Sequence, residues 1–141
     1  MSLSTSAPAL IAVALTLGLT VAPPAIAEED TPGAREYQRS CLSCHGVGGR
    51  GDGPLSELMT VEVPDLTGIA RRHDGKFPVQ ELFAIIDGRT GIRGHGYPMP
   101  VWGARYKAEA GDRYGPSGIG AEDVVRARIL ELVYYLHSIQ Q

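Results

Sequence analysis

Cys41-Leu42-Ser43-Cys44-His45 contains both cysteines of this chain, and a histidine follows the second one directly. Two thiols at this spacing can lie along one edge of a flat macrocycle, and the next residue then sits beneath its centre. The C-x-x-C-H string is the attachment pattern of c-type haem. Each thiol adds to one vinyl group, and the His45 imidazole fills the fifth coordination position of the iron. A chain built on this motif has to wrap short segments around a large planar group. Zinc fits less well, because two Cys and an adjacent His cannot enclose a tetrahedral ion without distant ligands. A structural disulfide or a thioredoxin-like dithiol is the plainer alternative, but the dithiol needs a preceding strand and makes no use of His45.

The amino-terminal segment suits the same chemistry. Residues 1–27 carry no charged side chain, and Leu10 to Val21 is apolar apart from Thr16, Gly18 and Thr20. Ala25-Ile26-Ala27 offers a small-residue cleavage site before Glu28-Glu29-Asp30, which is the form of a secretory signal peptide, although its first residues lack Lys and Arg. An uncleaved membrane anchor would need a longer and less interrupted run. The expected organisation is a cleaved signal peptide at 1–27 and one domain at 28–141, exported to the periplasm, where cytochrome c haem is attached.

A domain of this size buries only about two-thirds of its unfolded surface, so a covalently held macrocycle would supply a needed apolar centre. All 13 Lys and Arg and all 16 Asp and Glu lie beyond residue 27, and the formal net charge is −3. Nothing in this balance points to nucleic acid or to a stable membrane anchor.

Gly and Pro are abundant and strand-like alternation is almost absent, so the chain reads as short helices joined by structured loops. A first helix is expected from Thr31, as N-cap, and Pro32 towards Cys41. Gly46 to Pro54 is glycine-rich but lacks the Gly-Lys-Ser/Thr ending and the preceding strand of a phosphate loop. It is expected to let the backbone pass close to the porphyrin edge. A short helix is expected over Leu55–Thr60, and another turn from Asp65-Leu66-Thr67. Val79–Asp87 reads as a largely buried helix stopped by Gly88. The strongest period belongs to Val125, Ile129, Leu132, Val133, Leu136 and Ile139 or Gln140, with Glu122 and Asp123 in the first turn. Residues 104–120 read as a polar, solvated connection, with a partner-docking loop as the alternative. There is no repeat and no second C-x-x-C-H string, so one haem is expected.

The sixth iron ligand decides the chemistry. Beyond residue 27 the methionines are Met59 and Met99, and the other histidines are His73, His95 and His137. Met99 lies between Pro98 and Pro100 in a glycine-rich loop, far enough beyond His45 for the chain to return on the other face of the ring. Met59 falls in an expected helix and reads as core. A thioether is a soft ligand that favours ferrous iron and raises the potential relative to a second imidazole. Met99 is therefore the expected ligand, with His95 as the alternative.

These residues in this order resemble the class I (monohaem) c-type cytochromes, over essentially all of the chain from Gly33 onwards. The resemblance rests on Gly33 and Tyr37, the Cys41–His45 string, Gly53-Pro54, Met99-Pro100, Leu132 and Tyr135-Leu136. It implies an all-α, cytochrome c-like fold of short helices around one covalently attached haem c, with crossed N- and C-terminal helices. It also implies that a carbonyl at Pro54 accepts the Nδ1–H of His45. Tyr97, Trp102, Arg89 and Arg93 carry the donors that a haem propionate needs.

The function expected from this is periplasmic single-electron transfer, with no substrate-transforming site recognised and both axial positions filled by His45 and Met99. The expected partners are redox proteins, a dehydrogenase or a terminal oxidase, met by a monomer or in a transient complex. Two alternatives stay open: a cytochrome subunit fixed within a larger dehydrogenase or oxidase complex, and a haem enzyme or gas-binding domain with an open iron.

Overall fold

The computed structural model of the chain describes residues 30–89, 99–111 and 120–141. The expected signal segment, Arg93, His95 and Tyr97 lie outside the described residues. Among those described, the chain forms helices α1 (Pro32–Ser40), α2 (Leu42–His45), α3 (Ile69–Arg72), α4 (Val79–Asp87), α5 (Trp102–Gly111) and α6 (Ala121–Ser138), with a 3₁₀ turn at Ser56–Leu58. There is no strand among the described residues, which makes the fold all-α.

Local chemistry sets the ends of the long helices. Thr31 Oγ1 accepts the Ala34 N–H at 3.1 Å, and Pro32 occupies the first turn, where its missing N–H costs nothing. Gly88 closes α4 in the left-handed conformation, φ 66°. Helix α6 begins with Glu122 and Asp123, placed favourably at the positive end of the helix dipole. The expected turn after Asp65 is there too, although α3 itself starts only at Ile69. The Asp65 carboxylate accepts the Thr67 N–H and hydroxyl, both at 2.7 Å.

Helix α6 is the central element, and α1, α4 and α5 all pack on it. Its Val125, Ile129, Leu132 and Val133 are fully buried with Tyr37 of α1 and Tyr106 of α5. The α1–α6 crossing depends on Gly33. A Cβ there would collide with the Glu131 carbonyl oxygen and stand 2.9 Å from Tyr135 Cβ. This close approach brings the Tyr37 and Tyr135 rings to 5.1 Å. Gly33→Ala is expected to force the helices apart. Such overpacking costs about 1–3 kcal/mol, more than the roughly 1 kcal/mol alanine gains over glycine in a helix. Chemical denaturation checks this, and an unchanged midpoint would show that the crossing has slack.

The segment after Gly103 departs from the expected solvated connection. Residues 102–111 form α5, which buries Trp102, Tyr106 and Ala110 against α4 and α6. The Tyr106 hydroxyl donates to Ser40 Oγ at 3.2 Å, and the Arg128 guanidinium lies 3.8 Å above its ring. Arg128 also bonds Glu36 at 3.0 and 3.1 Å and Glu109 at 2.7 Å, joining α1, α5 and α6. Burial works to raise the Glu36 pKa, but hydrogen bonds from Arg128, Ser40 and Tyr106 hold it below the usual carboxylate value. Among the described residues no helix is long and apolar enough to cross a membrane.

Candidate functional site

Helix α2 is a single turn, and it carries the whole Cys41–His45 string with its cap. Cys41 is the N-cap residue, and the His45 N–H reaches back to the Cys41 carbonyl at 2.9 Å. Both thiols are free, Cys41 buried and Cys44 partly exposed. Burial first, then the charges of Glu36 and Cys44, push the Cys41 thiol up to about 12. Tyr37 ties this turn to the α1–α6 crossing, its buried hydroxyl donating to the Gly46 carbonyl at 2.6 Å.

The following loop folds back over the motif. Gly53 N–H donates to the Cys44 carbonyl at 3.1 Å and Leu55 N–H to the Ser43 carbonyl at 2.8 Å. A Cβ at Gly53 would stand 2.6 Å from both the Ser43 oxygen and the Cys44 carbonyl carbon. At Gly53, the close approach is thus to the motif's own backbone.

His45 is buried, and its Nδ1 faces the Pro64 carbonyl oxygen at 3.3 Å. A carbonyl only accepts, so the proton of this contact sits on Nδ1 and the Nε2 lone pair is left for a metal. Burial lowers the His45 pKa, against the opposing pull of Pro64, which favours the neutral ligand form. The carbonyl expected at Pro54 is therefore supplied by Pro64. Gly53-Pro54 is spent on the turn that the Gly53 and Leu55 hydrogen bonds close, with Pro54 exposed, and the chain returns to the imidazole ten residues later.

Met99 is half-buried and packs against the core cluster, as do Leu42, Phe77, Val79 and Phe83. Met59 ends the 3₁₀ turn, half-buried, and lies outside that cluster, so it is not the core residue expected. His73 and His137 are exposed, and His137 stacks on Phe77 at 4.7 Å. Trp102 is buried against Tyr106, with no hydrogen-bond acceptor for its indole N–H among the described residues. Arg89, one of the propionate candidates, is engaged with carboxylates of the chain itself. It makes a paired contact with Glu122 at 2.9 and 2.6 Å and bonds Asp87 at 2.8 Å, pinning the end of α4 to the start of α6.

The donor set fits a haem. Two free thiols sit on one helical turn, a buried imidazole has Nδ1 engaged and no partner for Nε2 among the described residues, and a half-buried thioether lies among apolar side chains. Among the described residues no three His, Cys, Asp or Glu side chains gather as an ion site of another kind. Sequence reasoning missed Pro64 and the carboxy-terminal Gln140 and Gln141. The last two hydrogen-bond the segment that presents Pro64; the helical period reaches Ile139 or Gln140, but nothing local marks this polar role.

Comparison with known proteins gives one match. The family described as Cytochrome C oxidase, cbb3-type, subunit III covers residues 28–113, more than half of the chain. No curated protein and no solved structure matches it. The match spans the Cys41–His45 string, Pro64 and Met99, and it carries a c-type haem and electron transfer with it. The chain belongs to the cbb3-type cytochrome c oxidase subunit III family, and it is a c-type cytochrome.

Proposed function

We propose that the chain is an exported single-electron carrier, with one haem bound covalently through Cys41 and Cys44 and its iron held between His45 and Met99. The observation that carries this reading is the imidazole of His45, buried directly after the two thiols with Nδ1 held by Pro64 O. A haem so bound supplies a reversible one-electron couple. The protein's part is to hold the ring, exclude water and set the potential. Cys41 and Cys44 fix one edge, His45 donates to the iron, and the Pro64 carbonyl strengthens that donation. In sequence Pro98 and Pro100 flank Met99 and limit the backbone there, which would suit a thioether that fills the sixth position of a bound haem. Trp102, buried and without an acceptor for its indole N–H among the described residues, would offer a propionate one donor, and the Tyr97 hydroxyl is a second candidate from the sequence. Export rests on the uncharged, apolar segment 1–27 and its Ala25-Ile26-Ala27 site.

Electrons are exchanged at the edge carrying the thioethers. The loops around the motif leave Val47 79%, Leu58 76%, Val61 48% and Leu55 43% exposed. From Gly51 to Ala70 the chain carries Asp52, Glu57, Glu62 and Asp65 and no Lys or Arg. Arg50 and Arg72 act on the Asp65 carboxylate, so the charge there is mixed, and a redox partner with an apolar centre fits such a face in a small and transient interface. The family description favours a second reading, a subunit fixed within a larger oxidase, which an extensive permanent interface would distinguish.

Carbon monoxide tests the filled sixth position. The unmutated ferrous protein is expected to bind it only slightly at neutral pH, whereas Met99→Ala, which has no donor atom and leaves a hole, binds it stoichiometrically. Rapid stoichiometric uptake by the unmutated protein would turn the reading towards a haem enzyme or gas sensor.

A further inference from the structure

Gln140, just beyond α6, sits between two backbone groups that would pair with each other in a regular helix. Its Oε1 accepts the Ala70 N–H at 2.8 Å, and its Nε2 donates to the Leu66 carbonyl at 2.9 Å. An N–H at 70 and a carbonyl at 66 are one α-helical hydrogen bond apart, so the amide takes the place of that bond. The same Nε2 donates to the Leu136 carbonyl at 2.6 Å, anchoring the arrangement to the last turn of α6. Beside it, the Gln141 N–H donates to the Thr67 carbonyl at 2.9 Å. On the inner side, Leu66 N–H reaches the Gly49 carbonyl at 2.7 Å. The strap 64–70 is thus held from both sides, and it presents Pro64 O to His45 Nδ1.

We propose that Gln140 is a positioning residue for the haem iron, whose amide keeps the strap open and so sets the distance from Pro64 O to His45 Nδ1. This rests on the reading of His45 as the axial ligand. The mechanism is geometric. Without the amide, Ala70 N–H and Leu66 C=O are left unpaired in a partly buried place, and the way to satisfy them is to bond each other. That winds the strap into a helical turn and draws Pro64 away from the imidazole. At 3.3 Å the contact already lies at the long end of the hydrogen-bond range, so a small withdrawal breaks it. A weaker acceptor on Nδ1 makes the imidazole a poorer donor to iron, which disfavours the ferric state. The potential then rises.

The test uses haem-loaded protein and the neutral, similarly sized variant Gln140→Met. At the midpoint potential of the unmutated protein, the ferrous-to-ferric ratio is expected to rise between about twofold and tenfold, tenfold being about 59 mV for a one-electron couple. Exchange of the His45 Nδ1 proton with deuterated water, followed by NMR, should quicken in step. Soret and visible bands at their unmutated positions mark intact ligation, so an unmoved ratio would count against the clamp and not against His45 as ligand. Tyr106→Phe, which loses the hydroxyl's bonds to Ser40 and Glu36 and removes no bond of residues 64–70, should lower thermal stability and leave the ratio alone. If Gln140→Met fails to load haem, Thr67→Val removes the hydroxyl that bonds Asp65 within the strap and should shift the ratio less, in the same direction. A lowered thermal midpoint with ratio and proton exchange unmoved, in whichever of the two loads haem, would overturn the proposal and leave Gln140 a purely structural residue.

Discussion

Replacing both Cys41 and Cys44 with alanine abolishes covalent haem incorporation in protein exported alongside a haem-attachment system. The expectation follows from inventory and geometry. These are the only thiols in the chain, both are free, and one turn of helix presents them beside His45. Each single variant keeps one thiol and can form one thioether, at reduced yield. The double variant keeps His45 and the apolar lining, so any haem it binds is held by coordination alone. Extraction into acidified acetone separates the two cases, because covalent haem stays with the protein and coordinated haem leaves it. Full-yield, unextractable haem in the double variant would contradict the attachment assigned to Cys41 and Cys44.

How much of this was legible in advance depended on whether the determinants were local. Helices α1, α4 and α6 announce themselves through Thr31-Pro32, Gly88 and the Val125–Leu136 period, all of which act within a few residues. Helix α5 does carry a signal, since Trp102, Tyr106 and Ala110 follow at four-residue spacing, but charged and small residues between flanking glycines obscure it. The partner of Arg89, Glu122, lies on another helix and is invisible to a local reading. The acceptor for His45 was misplaced for a similar reason. Two prolines follow the motif, and which one returns to the imidazole depends on where the loop turns, which the Gly53 and Leu55 hydrogen bonds decide. The Gln140 clamp joins residues 70 and 74 positions apart in the chain, and the turn at Asp65-Leu66-Thr67 and the period of the last helix give no sign of each other.

Exchanging the thioether of Met99 for an imidazole is the other large change. Met99→His is expected to lower the reduction potential by on the order of a hundred millivolts, since nitrogen is a harder donor than sulfur and stabilises ferric iron. The direction is opposite to that expected for Gln140→Met, so the axial and the strap effects are separable by sign. Met59 is the natural control. It is half-buried at the end of the 3₁₀ turn, outside the core cluster that Met99 packs against, and Met59→Leu should leave the potential nearly where it was. The measurement that bears most directly on the account is therefore a potentiometric titration of Met99→His beside Met59→Leu. A large fall in the first with no movement in the second is the predicted result. A shift in Met59→Leu with none in Met99→His would contradict Met99 as the ligand, and with it the closed, electron-carrying iron.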